Sequence, residues 1–292
     1  MKILLTGGTG FIGKPAAERL LARGHSLLWL SRHPSPGALP ERCAWHHSDI
    51  VKSESYREAV AAFLPDAALH LAWQGIPDYS LATSLLNLEA AARLVETLLG
   101  VGCKHHVVSG SCWEYGKVSG CIREETEPVN AGIFGASKHA LHHITAALCH
   151  SAAATLAWTR IFFAYGPHQK AASLAPTICR AVIEGKTPVL KTPAAVNDFI
   201  YIDDIAEAFV TLIENSANGV FNIGSGYGTA VGTFADEALS LAGHPPAFGG
   251  IVTADDHGFW ADITKLRSFG WKPKTDLREG LRRTLDFYTS SC

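Results

Sequence analysis

A glycine-rich turn near the start of the chain constrains the fold more than any other feature of the sequence. The eight residues TGGTGFIG (6–13) join a short apolar segment, KILLT (2–6), to a segment with helical periodicity at 11–21. A strand, a tight turn and a helix in direct succession form the first unit of a parallel α/β sheet. The glycine spacing matters only because it occurs in this strand–turn–helix context.

The three spaced glycines of this turn have separate expected roles. Gly7 permits the tight turn, Gly10 lets a phosphate approach the backbone, and Gly13 lets the helix pack on the strand. The free N–H groups and the positive dipole end of the following helix suit a pyrophosphate. The turn therefore predicts dinucleotide binding, and Thr9, Phe11 and Ile12 are expected to contact the cofactor with the glycines.

The rest of the N-terminal half repeats the alternation of strands and helices. Residues 81–99 show helical spacing of apolar side chains. Further apolar segments of strand length lie at 25–31, 66–73, 104–111 and 155–165. Such alternation predicts an α/β fold, a Rossmann-like doubly wound parallel sheet covered by helices on both faces.

The pattern loosens after residue 166, where prolines interrupt the apolar segments. We expect a small, discontinuous C-terminal lobe that binds substrate and packs against the sheet. The predicted dinucleotide-binding domain covers residues 1–166 and about 199–226, and the predicted substrate lobe covers about 167–198 and 227–292.

The residues after the second predicted strand bear on cofactor choice. An acidic residue about 20 residues beyond the glycines would bind the ribose hydroxyls of NAD, but this chain has Ser31 and Arg32. A guanidinium can hold a 2′-phosphate through two hydrogen bonds, whereas a carboxylate repels it. NADP(H) is therefore favoured over NAD(H). Asp49 is expected to meet the adenine ring.

Charge and cysteine usage exclude several classes of function. The net charge is −2 without any block of like charges, so nucleic acid and acidic membrane surfaces are not expected partners. The seven cysteines form no CxxC pair, which argues against a disulfide framework or a zinc knuckle. No apolar segment reaches the length of about 18 residues that a membrane span needs. With no signal peptide ahead of the first strand, a cytoplasmic location is the expectation.

The chain resembles the extended short-chain dehydrogenase/reductase family, which contains nucleotide-sugar epimerases, dehydratases and 4-ketoreductases. The resemblance rests on ordered motifs along most of the chain: TGGTGFIG (6–13), HLAW (70–73), VVSGSCWEYG (107–116), FGASK (134–138), YGP (165–167), NDFIYIDD (197–204), FNIGSG (221–226) and GWKP (270–273). It implies a nicotinamide cofactor and a small-molecule substrate, expected to be a sugar nucleotide.

The resemblance also implies roles for individual residues. Ser111 falls on the catalytic Ser/Thr that hydrogen-bonds the reacting oxygen, and Lys138 on the lysine that holds the nicotinamide ribose and lowers the pKa of a catalytic tyrosine. The position of that tyrosine is occupied by Phe134. Further expected cofactor contacts are Ile50, Leu71, Ala72, Trp73 and Phe162. The helix of Leu88 and Ala92 and the helix of Lys138 are expected to pair across a homodimer.

Phe134 leaves the reaction without its usual proton donor, because phenylalanine fills the volume of tyrosine and donates nothing. Three interpretations stay open. Phe134 replaces a tyrosine of the natural protein, or another acid acts in its place, or the chain binds cofactor without catalysis. The stand-in acids considered are Cys112, Glu114, Tyr115 and Tyr165.

The residues after Ser111 distinguish members of the family. The 4,6-dehydratases carry an Asp-Glu pair where this chain has Cys112 and Trp113, which argues against dehydration. The short C-terminal lobe and Arg32 favour an NADP(H)-dependent reductase acting on a nucleotide-linked 4-keto-6-deoxy sugar. A sugar-nucleotide 4-epimerase is the alternative, and a cofactor-binding protein without catalysis is the second alternative.

Three residues that usually grip the substrate diphosphate in the family are absent. Phe163 stands for a usual Asn and Asn197 for a usual Arg, and residues 244–262 contain no Lys or Arg. Lysine or arginine elsewhere could substitute as a phosphate ligand, and the candidates are Lys170, Arg180 and Lys191. The predicted substrate-binding residues are Trp73, Gln74, Ser111, Trp113, Glu114, Phe163, His168 and Asn197. Core packing is the alternative for the tryptophans, and a structural carboxylate is the alternative for Glu114.

Three histidines lie together on a predicted helix. His139 and His143, four residues apart, have the spacing of a zinc pair, with His142 beside them. No Glu follows His139 in an HExxH pattern, so surface or interface histidines are the favoured interpretation and no metal site is predicted. Cys112 is likewise expected to be a packed thiol rather than a nucleophile.

Overall fold

Residues 1–249 and 258–290 are described from a computed structural model. The strands are β1 (Lys2–Thr6), β2 (Ser26–Ser31), β3 (Cys43–His47), β4 (Ala67–His70), β5 (His105–Ser109), β6 (Gly120–Ile122), β7 (Thr155–Ile161), β8 (Phe163–Tyr165), β9 (Val196–Asn197), β10 (Phe199–Tyr201), β11 (Gly219–Ile223), β12 (Thr229–Ala230) and β13 (Gly258–Ala261). The helices are α1 (Gly13–Ala22), α2 (Arg57–Phe63), α3 (Leu81–Gly100), α4 (Ile133–Ser151), α5 (Leu174–Ile183), α6 (Ile202–Glu214), α7 (Val231–Leu241), α8 (Thr264–Arg267) and α9 (Leu277–Ser290).

Seven parallel strands form the central sheet in the order β11-β7-β5-β4-β1-β2-β3. The chain order reverses at β1, which pairs with β2 on one side and β4 on the other. In doubly wound sheets, ligands bind at such a switch point, beyond the carboxyl ends of the strands. The predicted Rossmann-like doubly wound fold is therefore confirmed, and the crevice lies just beyond β1 and β4.

Helices cover both faces of this sheet. α1 and α6 pack together, as do α3 and α4. The strands between them are almost wholly buried, which explains their near-continuous apolar sequences. Among the described residues, no helix combines the length and the apolar character that crossing a bilayer requires.

One predicted strand, 155–165, is divided in the structure. β7 ends at Ile161, and the Phe162 N–H still bonds the Ile223 carbonyl at 2.9 Å. The next N–H, of Phe163, instead bonds the Asp198 carbonyl at 3.0 Å. The chain therefore leaves the central sheet, and β8 pairs with β10 in a separate two-stranded sheet.

The C-terminal lobe contains a four-stranded sheet with the order β12-β9-β13-β6. Its edge strand β6 comes from residues that the sequence assigns to the first domain. Asp198 joins the two parts: its buried carboxylate accepts hydrogen bonds from the N–H groups of Ser225, Gly226 and Ala261 at 2.6, 3.1 and 3.0 Å.

Candidate active site

The turn after β1 packs so tightly against its neighbours that no side chain would fit at Gly7 or Gly13. Gly7 has a φ of +72°, and a Cβ there would lie 2.8 Å from the backbone nitrogen of Ala72, just beyond β4. A Cβ on Gly13 would lie 2.2 Å from the Gly7 carbonyl oxygen. These contacts agree with the expected roles of Gly7 in the turn and Gly13 in bringing α1 against the strand. The turn residues Gly7, Thr9 and Gly10, just before α1, line the first cavity.

A first cavity of about 210 Å³ opens beside this turn and ends at the carboxyl end of β2. It brings together most of the predicted cofactor residues: Gly7, Thr9, Gly10, Ser31, Arg32, Ile50, Leu71, Ala72 and Trp73. No lining residue carries a carboxylate, and Arg32 is the charged side chain at the far end.

Asp49 and Gln74 depart from their predicted roles. Asp49 does not line the cavity, and its Oδ1 accepts hydrogen bonds from Gln74 Nε2 at 2.8 Å and from the Val51 N–H at 3.1 Å. Gln74, predicted to bind substrate, instead lines this first cavity and accepts a bond from Arg32 Nη1 at 3.0 Å. Its amide therefore links Arg32 to Asp49, a bridge that the sequence spacing does not reveal.

A second cavity of about 320 Å³ adjoins the first, and Leu71 and Trp73 line both. It brings together the predicted Ser111, Phe134 and Lys138. Phe11, Ile12, Trp113 and Phe162 also line it, together with Ile76, Tyr79 and Gln169, which were not predicted. The cofactor residues and the catalytic residues therefore face two neighbouring cavities that share Leu71 and Trp73 as walls.

Lys138 lies buried at the floor of the second cavity, on α4. Its Nζ donates a hydrogen bond to the Ser109 carbonyl at 2.7 Å and lies 4.1 Å from the centre of the Trp73 ring. Burial lowers the pKa of Lys138 to about 7, although the nearby Glu114 carboxylate acts in the opposite direction. An amine with this pKa can hold or release a proton near neutral pH.

Ser111 begins the short 3₁₀ turn Cys112–Glu114 at the end of β5. Its N–H donates to Glu114 Oε1 at 2.8 Å, and its Oγ accepts from the Trp113 N–H at 3.2 Å. The Ser111 hydroxyl also interacts with the buried Cys112 side chain. Ser111 lines the second cavity, where its hydroxyl can bond the oxygen of a ligand.

Glu114, predicted as a substrate contact or a stand-in acid, lies fully buried and outside both cavities. Its carboxylate accepts bonds from Arg160 Nε at 3.0 Å and from Trp158 Nε1 at 3.0 Å. Burial raises the pKa of Glu114 and the Arg160 charge opposes the rise. The geometry gives Glu114 a structural role, in which it fixes the turn that carries Ser111.

Phe134 occupies the expected place of the catalytic phenol but is surrounded by aromatic rings. The ring centres of Trp73, Tyr79 and Trp113 lie 5.4, 5.1 and 5.9 Å from its own. Phe134 therefore forms an apolar wall of the second cavity, next to Lys138.

The other proposed stand-in acids do not reach this cavity. Tyr115 donates its hydroxyl to Asn222 Oδ1 at 2.7 Å, and burial raises its pKa to about 12. Tyr165 donates to the Leu277 carbonyl at 3.4 Å. Cys112 is buried, which raises the pKa of its thiol. All three side chains are buried in the core and do not face the second cavity.

Three predicted substrate residues lie away from the second cavity. The His168 ring contacts the Phe287 ring at a tilt of 56°, with ring centres 4.4 Å apart, and His168 lines a separate cavity of about 410 Å³ beside the start of α1. Phe163 packs against Phe199 and Phe259, and Asn197 pairs with Phe259 through the small sheet. Phe163 in β8 and Asn197 in β9 belong to the two small sheets, away from the wall around Lys138.

Two of the candidate phosphate ligands already contact backbone carbonyls. Lys170 Nζ bonds the Ile76 carbonyl, across the crevice, and Arg180 bonds the Ala171 carbonyl. The segment 244–262, which lacks basic residues, lies partly outside the described residues.

The three histidines of α4 do form a group, with possible ligand atoms within 4.8 Å of one another. Nε2 of His139 and Nε2 of His143 are 3.0 Å apart. None of the three lines either cavity of the crevice. The cluster therefore has no part in the candidate active site.

Comparison with known proteins finds relatives along almost the whole chain. The chain is 27% identical to dTDP-L-rhamnose 4-epimerase of Burkholderia thailandensis, over 96% of this chain and 93% of the relative. It is also 27% identical to UDP-glucose 4-epimerase of Mycolicibacterium smegmatis, over 99% and 98%. The solved UDP-glucose 4-epimerase of Thermotoga maritima shares the fold, with a TM-score of 0.87, 22% identity and coverage of 100% and 99%. The model of the NAD dependent epimerase/dehydratase family matches residues 3–224, and the chain belongs to that family.

Proposed function

We propose that this chain is a sugar-nucleotide 4-epimerase that uses a nicotinamide dinucleotide. The observation that carries the proposal is the pair of neighbouring cavities, one beside the glycine turn and one lined by Ser111 and Lys138, that share Leu71 and Trp73. Similarity to two curated 4-epimerases supports epimerisation over the 4-ketoreductase activity favoured by the sequence alone. Cys112 and Trp113 lack the carboxyl groups for elimination of water, which disfavours a dehydratase.

The residues present fit a dinucleotide. The Gly7 and Gly13 positions form a cradle that any Cβ would fill, and the first cavity runs from this cradle to Arg32. A nicotinamide dinucleotide bound there supplies the group that accepts a hydride from the substrate carbon and later returns it. Lys138 would hold the ribose beside the nicotinamide, and Ser111 would orient the substrate oxygen.

The cradle gives a first testable prediction. Gly13→Ala should weaken dinucleotide binding on the order of 10- to 100-fold, because the new Cβ would overlap the Gly7 carbonyl and displace the turn. Calorimetric titration with NADPH measures the change. Gly100→Ala is the matched control, since a Cβ there meets no atom within 4 Å. Equal affinity of both variants would contradict the assigned role of the cradle.

We propose a preference for NADP(H). The far end of the first cavity is lined by Arg32 and His33 and by no carboxylate, so a 2′-phosphate finds a cationic partner there. Gln74 holds the Arg32 guanidinium through one hydrogen bond, which leaves other N–H groups of Arg32 for the ligand.

Arg32→Ala should lower the affinity for NADPH about tenfold or more while leaving NADH affinity nearly unchanged, because only the phosphate contact is lost. The ratio of the two dissociation constants is the measurement. Arg57→Ala removes an exposed arginine from α2 and serves as the control. A similar loss for both cofactors would argue that Arg32 has no part in phosphate recognition.

A homodimer formed through α3 and α4 is part of the proposal. Leu81, Leu85 and Leu86 on α3 are about half exposed, as is Ile133 on α4. Because α3 and α4 pack against each other, these exposed apolar side chains suit contact with a second copy of the chain. Size-exclusion chromatography with light scattering tests it, and a monomer at micromolar concentration would contradict it.

We also propose that the protein works in a reducing compartment, the cytoplasm. The described cysteines Cys43, Cys103, Cys112, Cys121, Cys149 and Cys179 are all free. Free thiols are typical of a cytoplasmic protein.

The function is tested by incubating the purified protein with UDP-glucose, UDP-galactose and dTDP-L-rhamnose, each with NAD⁺ or NADP⁺. The proposal predicts exchange of the two C4 epimers without net change in reduced cofactor. Net consumption of NADPH with a 4-keto-6-deoxy sugar nucleotide would instead support the reductase, the second candidate that Arg32 favours. Cofactor binding without any turnover would support the second alternative, a cofactor-binding protein without catalysis.

A further inference from the structure

Tyr79 lies in the loop before α3 and projects into the second cavity. Its ring is half-buried, with its centre 5.1 Å from that of Phe134 and 5.2 Å from that of Trp113. The contacts fix the ring without using its hydroxyl. Within residues 1–249 and 258–290, that hydroxyl has no hydrogen-bond partner, so it is free for a ligand.

The other residues of the second cavity narrow the choice of a proton-transfer group. Of its lining side chains, only Tyr79 and Lys138 ionise. Lys138 already bonds the Ser109 carbonyl and is assigned to the cofactor ribose. The phenol hydroxyls of Tyr115 and Tyr165 donate hydrogen bonds to Asn222 and to the Leu277 carbonyl. The Glu114 carboxylate accepts a hydrogen bond from Arg160.

We propose that Tyr79 is the catalytic acid–base residue of this chain, in place of the phenol missing at Phe134. The inference rests on the proposed function. In the oxidising half of the reaction the substrate O–H bond breaks, its proton moves to the Tyr79 phenolate, and the electron pair stays on the oxygen to form the carbonyl. A bound nicotinamide dinucleotide would accept the hydride from the same carbon. In the return half, Tyr79 gives the proton back to the oxygen.

The surroundings of Tyr79 suit this role. Burial raises the pKa of Tyr79 and so opposes its ionisation in the free protein. The other ionisable groups that line its two cavities are the lysines Lys138 and Lys117, so no carboxylate there adds to this opposition. The neighbouring Asp78 carboxylate is bonded to Thr83 and Ser80. An oxidised nicotinamide bound in this cavity would add a positive charge, which would favour the phenolate.

Tyr79→Phe should reduce kcat about 10²- to 10⁴-fold, with KM and cofactor affinity changed little. Tyr227→Phe, at an exposed tyrosine, is the matched control and should keep full activity. Adding Phe134→Tyr to the Tyr79→Phe variant should restore much of kcat, because the phenol returns to an adjacent wall of the same cavity. A Tyr79→Phe variant with undiminished kcat would overturn the proposal.

A second measurement does not depend on turnover. Ultraviolet difference titration with saturating NADP⁺ should show one tyrosine ionising at lower pH than without NADP⁺, and Tyr79→Phe should remove that component. Identical titrations of the two proteins would overturn the role of Tyr79. If no sugar nucleotide is converted by the unaltered protein, the proposed function fails while this titration still decides the assignment of Tyr79.

Discussion

Arg160→Leu should lower the free energy of unfolding by about 3–5 kcal/mol, because it leaves the Glu114 carboxylate buried without its cationic partner. Arg160 lies almost wholly inside the protein, where its Nε bonds Glu114 at 3.0 Å and its Nη1 bonds the Glu124 carbonyl at 3.1 Å. Its guanidinium also stacks on the ring of Tyr115. Chemical denaturation followed by circular dichroism measures the loss.

The matched control is the same substitution at an exposed ion pair. Arg123 faces Asp262 at 3.3 Å with 76% of its side chain exposed, so Arg123→Leu should cost less than about 1 kcal/mol. A double variant, Arg160→Leu with Glu114→Gln, should recover part of the loss, since no charge is then left unpaired. Equal destabilisation by Arg160→Leu and Arg123→Leu would show that the buried pair does not hold the Ser111 turn.

Lys138→Met should abolish turnover and yet stabilise the cofactor-free protein. Burial lowers the pKa of Lys138 from 10.5 to about 7. Between these pH values the unfolded chain binds one more proton than the folded chain, so the free energy of unfolding rises with pH. At pH 7 the buried amine therefore costs on the order of 4 kcal/mol, which Lys138→Met removes.

Unfolding measured from pH 7 to pH 10 tests this directly. The unaltered protein should gain stability across the range relative to Lys138→Met, and the two curves should converge toward pH 10.5. Lys104→Met removes an exposed lysine and should leave the pH dependence unchanged. Parallel curves for the unaltered and Lys138→Met proteins would mean that Lys138 is charged in the folded state throughout.

The sequence predicts the dinucleotide-binding half well because its signals are local. The glycine turn dictates a backbone that only glycine tolerates at Gly7 and Gly13, and long apolar segments predict buried parallel strands. β3 is less evident, since this edge strand, CAWHH, is partly exposed and lacks a continuous apolar pattern. The break between β7 and β8 depends on a hydrogen bond to Asp198, which is distant in sequence.

The candidate site is predicted only where a motif fixes the backbone. Ser111 and Lys138 lie in the crevice because β5 and α4 bring them there. The structural role of Glu114 was harder to predict, because its buried partner Arg160 lies on β7, 46 residues further along the chain. Tyr79 was missed because it lies in an irregular loop, and only the folded chain brings its ring against Phe134.

Binding of nicotinamide dinucleotides to the purified protein tests the central claim most directly. Trp73 lines both cavities, so NADPH bound there should quench tryptophan emission and emit in its place. The account predicts saturable binding at one site per chain, tighter for NADPH than for NADH and weakened in Gly13→Ala. No saturable binding of either dinucleotide would contradict it.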